Sequence, residues 1–204
     1  MMRNLNLYIA RHGQTMWNQE KRMQGHQDSA LTDLGKGQAK KLRDSLKETK
    51  WEAIYASPLQ RALATANIIR GKQAVPIICQ DDLREMCFGD WEGKLHQEIA
   101  KQEPQKYEDF WMSPDLYVTS SGESFFEVEK RVLKALRKIM EQHQTGNVLI
   151  VTHTVVVKLL MAYFEQRPLG ALWNPPTIEP TALCQVEIKK DQTTILLHGD
   201  TSHC

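Results

Sequence analysis

The chain has 204 residues, the size of one ordinary domain, and its 41% hydrophobic and 25% charged content is that of a folded chain rather than a disordered one. Lys and Arg number 26 against 25 Asp and Glu, a formal net charge of +1. That balance excludes a grip on nucleic acid or anionic membrane by bulk charge, and leaves room for a local cationic pocket.

The opening Met1-Met2-Arg3-Asn4-Leu5-Asn6-Leu7 carries no charged-then-apolar signal segment. Apolar runs such as 148–151 and 155–157 are far too short to span a bilayer. A cytoplasmic location is expected. Residues 5–10 read as a buried strand. Residues 32–49 read as a helix, with Leu34, Gln38, Leu42 and Leu46 at four-residue spacing, and 52–56 as a short strand. Ser57-Pro58-Leu59-Gln60 then has the form of a helix start: Ser57 as cap, Pro58 at the first helical position, Gln60 closing a capping box. Ala62, Ala66 and Ile69 mark the buried face of that helix, Gly71 ends it, and 75–79 is a third strand.

Residues 95–117 differ. They are helical in short pieces, broken by Pro104 and Pro114, and carry Tyr107, Phe110 and Trp111. This reads as a small helical excursion, about 94–124, over the ligand site. Ser124-Phe125-Phe126-Glu127 is a second capping box. It opens a long helix striped with Val128, Val132, Leu136, Ile139 and Met140, and with Lys134, Arg137 and Lys138 toward its C-terminal half. Residues 147–152 form the strongest strand signal and run into His153 and an apolar helix over 155–164. Two last strands, 181–189 and 193–198, pair around Lys190-Asp191.

Strand and helix alternate, and no internal repeat or Ser/Gly linker interrupts them. The expected fold is a single α/β domain over 1–204: a three-layer sandwich with a mostly parallel central sheet flanked by helices. Ligands of such sheets sit at the carboxyl ends of strands. That rule singles out Arg11-His12-Gly13, then Ser57 feeding Arg61, then His153. Cys79, Cys87, Cys184 and Cys204 contain no C-x-x-C pair and read as free thiols. The seven histidines lack zinc spacing, so neither metal nor cofactor is expected. His198 and His203 beside Cys204 read as part of a frayed tail.

A histidine beside an arginine, in a loop after a buried strand, suits attack on a phosphoryl group. Neutral imidazole is a nucleophile for phosphorus, the arginine fork matches two phosphate oxygens, and a glycine lets backbone approach an anion. Arg61, in the first turn of its helix, is either a second phosphate holder sharing the anion with the helix's positive end, or a surface arginine. His153 is either a phosphate ligand or a satisfied core histidine. Glu85 is either the acid that protonates a leaving alkoxide or the ion-pair partner of Arg84.

Taken together, these residues resemble the histidine phosphatase superfamily, in its phosphoglycerate-mutase-like branch and most like the broad-specificity phosphatases there. Five ordered blocks over nearly the whole chain carry the resemblance: Arg11-His12-Gly13 with Trp17-Asn18; Gln24-Gly25 with Asp28 and Leu31-Thr32; Ser57-Pro58-Leu59 with Arg61-Ala62 and Thr65-Ala66; Leu83-Arg84-Glu85 with Gly89-Asp90-Trp91-Glu92-Gly93; and Val151-Thr152-His153. The resemblance implies His12 as nucleophile and Glu85 as proton donor. It implies Arg11, Arg61 and His153 as phosphoryl holders, helped by Asn18, Gln24, Gly25 and Thr154, with no metal. Two departures are visible. Gln14 stands where glutamate is common, removing a negative charge near the nucleophile. Thr154 stands where glycine is usual, narrowing the clamp.

The expected activity is hydrolysis of a small-molecule phosphate ester, releasing inorganic phosphate. The alternatives are mutase-type phosphoryl transfer and a weakly catalytic member that binds phospho-ligands or partners. Residues 95–127 contain no arginine and only Lys101 and Lys106 as cations, against seven acids. That is a poor wall for a multiply charged acid, whereas Tyr107, Phe110, Trp111, Phe125 and Phe126 offer apolar surface if they face the cleft.

Overall fold

The computed structural model describes residues 4–190 and 192–204. Residues 1–3 and Asp191, the latter in the expected final turn, lie outside the described residues. Six strands, β1 (Asn4–Arg11), β2 (Trp51–Ala56), β3 (Ile77–Cys79), β4 (Thr145–Thr152), β5 (Leu183–Lys189) and β6 (Gln192–Asp200), form one sheet in the order β3-β2-β4-β1-β5-β6. β3, β2, β4 and β1 run parallel; β5 is antiparallel to β1 and β6 to β5. The fold is thus α/β with a mostly parallel sheet, as expected.

Seven α-helices accompany the sheet: α1 (Met16–Glu20), α2 (Asp33–Ser45), α3 (Gln60–Arg70), α4 (His96–Gln102), α5 (Pro104–Met112), α6 (Phe125–Gln142) and α7 (Thr154–Glu165). Side chains alternate across each central strand. Leu5, Leu7, Ile9, Val148 and Ile150 pack against Val128, Val132, Leu136 and Ile139 of α6 and the apolar face of α7. Ala10, Ile54, Leu149 and Val151 pack the other way, onto Leu42 of α2 and Ala62, Ala66 and Ile69 of α3. Both faces are covered, and β4 carries an unbroken buried apolar run over 148–151.

Three local expectations are corrected. The inward face of α2 is Gly35, Ala39 and Leu42, while Leu34 is 59% exposed. The helix docks through a glycine contact: a Cβ on Gly13 would lie 2.5 Å from the Gly35 carbonyl oxygen, and one on Gly35 only 2.1 Å from that of Gln14. Gly13 therefore serves the approach of α2 rather than of an anion, a contact invisible to hydrophobic periodicity. Next, α3 starts at Gln60 with Leu59 as its cap residue and no side-chain cap from its own flank. Its first amides, Gln60 and Arg61, donate instead to the carboxylate of Asp28, thirty residues away. The tail, finally, is folded: His198 lies on β6 with its Nδ1 2.8 Å from Glu165, and His203 reaches the Thr181 hydroxyl.

The excursion consists of α4 and α5. Phe110 is its buried anchor, with ring centroids 5.8 Å from Trp91, 5.0 Å from Phe125 and 5.5 Å from Trp173. The Trp173 indole N–H donates to the Phe110 carbonyl at 2.6 Å, tying α5 to the segment before β5.

Candidate active site

The parallel register brings three strand ends to one edge. Past the end of β1 the His12 amide donates to the Thr152 carbonyl of β4 at 2.9 Å, and past β2 the Ser57 amide donates to Val151 at 3.0 Å. His12, Ser57 and His153 are thereby fixed side by side, with the His12 and His153 ring centroids 5.2 Å apart.

His12 is buried and its Nδ1 lies 2.8 Å from the Gly13 carbonyl. A carbonyl only accepts, so Nδ1 carries the proton and Nε2 keeps its lone pair. Burial, then Arg61 and Arg11, hold the ring well below the usual histidine range, so it is neutral. His153 is held low as well, by burial first and then by Arg61. The Ser57 hydroxyl accepts from the Leu59 amide and gives its own proton to Nε2 of the neutral ring at 2.7 Å, so His153 Nδ1 carries the ring proton. Ser57 thus orients a site histidine rather than capping α3.

The arginines are pinned at one end and open at the other. Arg11 Nη1 donates to the Ile178 carbonyl at 2.7 Å. Arg61 Nη1 donates to Gln27 and Asp28 and its Nη2 to the Gly25 carbonyl. Among the described residues, seven buried side-chain polar atoms lack a partner, and three of them are Arg11 Nε, Arg61 Nε and His153 Nδ1. Such orphans are costly and rare, so their clustering marks a place built for an acceptor. The positive end of α3 does not join them, because Asp28 occupies it. Burial lowers Arg11 to about 10, which leaves it a cation at neutral pH.

Glu85 is buried at the same place. Its Oε1 accepts from the Met86 amide at 3.0 Å, and its Oε2 lies 3.4 Å from that of Val155. Burial raises its pKa above the usual glutamate value, against the smaller pull of these bonds and of Arg61. It has no ion pair with Arg84, whose guanidinium pairs with Asp81 at 3.0 Å.

Arg11, His12, Arg61 and Glu85 line a cleft of about 340 Å3, with His153 beside His12. Asn18, Gln24, Gly25 and Thr154 all line it. The Asn18 carboxamide oxygen is taken by the Thr15 amide and hydroxyl, which leaves its amide nitrogen for a ligand. Gln14 is turned away, with its Oε1 accepting from the Thr32 hydroxyl at 2.9 Å. Of the excursion aromatics, Phe110 and Trp111 reach the cleft; Tyr107 and Phe125 do not, and Phe126 is exposed.

Sequence reasoning missed Trp173, Ile178, Arg22, His96 and Lys158, which also line the cleft. The wall is therefore less poor in cations than residues 95–127 imply. Both added cations are already committed, however. Arg22 donates to Glu20 and the Gly93 carbonyl, and Lys158 to the carbonyls of Asn174 and Pro176 at 2.6 and 2.8 Å. Lys158 is brought down to about 8, by burial and then by Arg167. Trp173 sits in an irregular segment without period, so only its residue type hinted at a role. Among the described residues no helix is long and apolar enough to cross a membrane, and no group of three His, Cys, Asp or Glu side chains is placed to hold a metal.

Comparison with known proteins agrees with this arrangement. The family model of the histidine phosphatase superfamily (branch 1) matches residues 7–201. The chain is 34% identical over 204 aligned positions to phosphoglycerate mutase-like protein 4 of Arabidopsis thaliana, covering 97% of this chain and 86% of that one. It is 35% identical over 163 positions to the metal-independent phosphoserine phosphatase of the same plant, covering 78% and 68%. The solved structure of Bacillus stearothermophilus YhfR superposes with a TM-score of 0.94 at 44% identity, covering 98% of both chains. With its sheet superposing on a solved structure and its sequence matched by the family model over nearly its whole length, the chain belongs to the histidine phosphatase superfamily, branch 1, and is a phosphatase of that kind.

Proposed function

We propose that the protein hydrolyses small phosphate monoesters through a phosphohistidine on His12, with Glu85 as proton donor and no metal. The observation that carries this reading is the trio of unpartnered buried donors, Arg11 Nε, Arg61 Nε and His153 Nδ1, gathered around a neutral histidine whose Nδ1 is occupied. A phosphoryl group offers the acceptors those donors lack. In the first step His12 Nε2 forms a bond to phosphorus as the bond to the ester oxygen breaks, and Glu85 gives its proton to that departing oxygen. In the second step water attacks phosphorus while the Glu85 carboxylate takes its proton. The phosphorus–nitrogen bond breaks, and neutral His12, protonated Glu85 and inorganic phosphate are restored.

Phe110, Trp111, Trp173 and Phe88 on the wall favour apolar or aromatic leaving groups. Because Arg22 and Lys158 are bound to protein acceptors, hydrolysis is favoured over transfer between two positions of a multiply charged acid. The test uses labelled substrate and an alkaline quench. Acid-labile phosphate is expected on the wild type and none on His12→Ala, which is expected to lose turnover. Label on another residue, or full activity in His12→Ala, refutes the nucleophile. Incubation with 3-phosphoglycerate and a trace of 2,3-bisphosphoglycerate separates the mutase reading: isomer formed faster than phosphate would establish it instead.

A further inference from the structure

Arg131, on α6, does not line the cleft, yet it is the most fully committed arginine near the site. Its guanidinium has five N–H groups in a fixed planar fork. Nε donates to Glu123 Oε1 at 2.8 Å and Nη2 to Glu123 Oε2 at 2.8 Å. Nη1 donates to the carbonyls of Asp82 at 3.0 Å and Arg84 at 2.7 Å, and Nη2 also to the carbonyl of Glu85 at 2.9 Å. Three carbonyls of the segment that carries Glu85 are thus gathered on one side chain. That segment belongs to no strand, so its carbonyls have no ladder to satisfy them.

Glu123 holds the other flank. Besides receiving Arg131, its Oε2 accepts from the Cys87 amide at 2.9 Å, and its own amide donates to the Cys87 carbonyl at 2.8 Å. Two lesser contacts complete the frame. His26 Nε2 lies 2.9 Å from the Glu85 carbonyl, and the Thr152 hydroxyl donates to the Leu83 carbonyl at 2.7 Å. The Arg131 and Glu123 side chains are only 17% and 23% exposed, so their pair is shielded more than a surface ion pair.

We infer that the Arg131–Glu123 pair is the positioning frame for Glu85, fixing the backbone on both sides of the proton donor so that its carboxyl meets the departing oxygen; this rests on Glu85 being that donor. Neither residue touches substrate. Both act through the geometry of Glu85, while Arg11, Arg61 and His153 hang from other elements and share no hydrogen bond with either residue. Loss of the frame is therefore selective. It weakens proton delivery and spares phosphoryl binding.

The test compares Glu85→Gln, Arg131→Lys and Glu123→Gln in single-turnover phosphorylation, with an alkyl phosphate and with 4-nitrophenyl phosphate, whose leaving group departs without a proton. Inhibition by inorganic phosphate is measured on each. Arg131→Lys keeps the stem and the charge but loses the fork, and Glu123→Gln keeps the shape but loses the charge. Either one answers the question if the other fails to fold. A misplaced catalytic group costs on the order of 10²-fold. The frame variants are expected to lose about 10–100-fold with the alkyl ester, and far less with the nitrophenyl ester, at unchanged phosphate inhibition. Equal losses on both esters, weakened phosphate inhibition, or no loss at all, while Glu85→Gln still discriminates, would overturn the positioning role and leave the proton donor standing. Failure of Glu85→Gln itself to discriminate would remove the donor and the frame together.

Discussion

At the scale of single residues, burial moves the two ionisable groups of the proposed mechanism in opposite directions. His12 is depressed well below its ordinary value, so it stays a free base in mildly acid solution. Glu85 is raised above its ordinary value, so it keeps its proton at higher pH than an exposed glutamate. The productive pair, neutral His12 with protonated Glu85, exists between those two limits. Phosphorylation by an alkyl phosphate is expected to decline as pH rises through the Glu85 transition, and the same decline is expected to shrink with 4-nitrophenyl phosphate. Matching alkaline limbs for the two esters, in a pH series of single-turnover rates, would place the proton elsewhere. The depressed histidines also bear on stability. The unfolded chain takes up protons at about 6.5, the usual histidine value, before folded His12 and His153 do. Stability is therefore full above that pH and is lost as pH falls toward the folded values. Arg11, His12, Arg61, Glu85 and His153 were legible as candidates because each sits at a strand end or in a block with a chemical reason. Ser57 was misread: capping preference knows only the local chain, and its hydroxyl answers to His153 across the sheet.

At the scale of elements, the N-terminus of α3 shows how the site borrows from a distant loop. Asp28 accepts from two amides of the helix and from Arg61 Nη1, so one carboxylate both caps the helix and aims the guanidinium. Replacing a capping acid by alanine costs about 1–2 kcal/mol, whereas asparagine caps nearly as well. Urea unfolding of Asp28→Ala is expected to show that loss and Asp28→Asn to avoid most of it. Both variants are expected to bind phosphate more weakly, since both remove the charge that anchors Arg61. Stability unchanged in Asp28→Ala would mean the helix start is held by something else. Periodicity and capping boxes made β1, β4 and α6 readable, because those elements bury continuous apolar faces or carry their own caps. The face of α2 was not readable, since it docks by a missing side chain at Gly35.

At the scale of the whole molecule, occupancy and folding are linked. An anion that satisfies three orphaned donors binds the folded chain and not the unfolded one. A ligand at a hundred times its dissociation constant adds about 2.7 kcal/mol of stability. Inorganic phosphate is expected to raise the melting temperature of the wild type, and Arg61→Ala is expected to lose most of that rise. An undiminished rise in Arg61→Ala, followed by scanning calorimetry, would put the anion at another site. The strand ends that meet at this anion were named from sequence, but their lateral order was not. The order β2-β4-β1 follows from pairings between residues more than ninety positions apart, which no local pattern records.

The Trp173 indole, bonded to the Phe110 carbonyl, has a consequence for the history of such a protein. His12 and His153, two of the residues proposed to handle phosphorus, sit just past strand ends and are held there by the sheet. The surface that meets the rest of the substrate comes from two inserted segments, fastened to each other by one side chain. A lineage can therefore exchange the fastener, or the few aromatic faces beside it, and change its diet while its chemistry is inherited untouched.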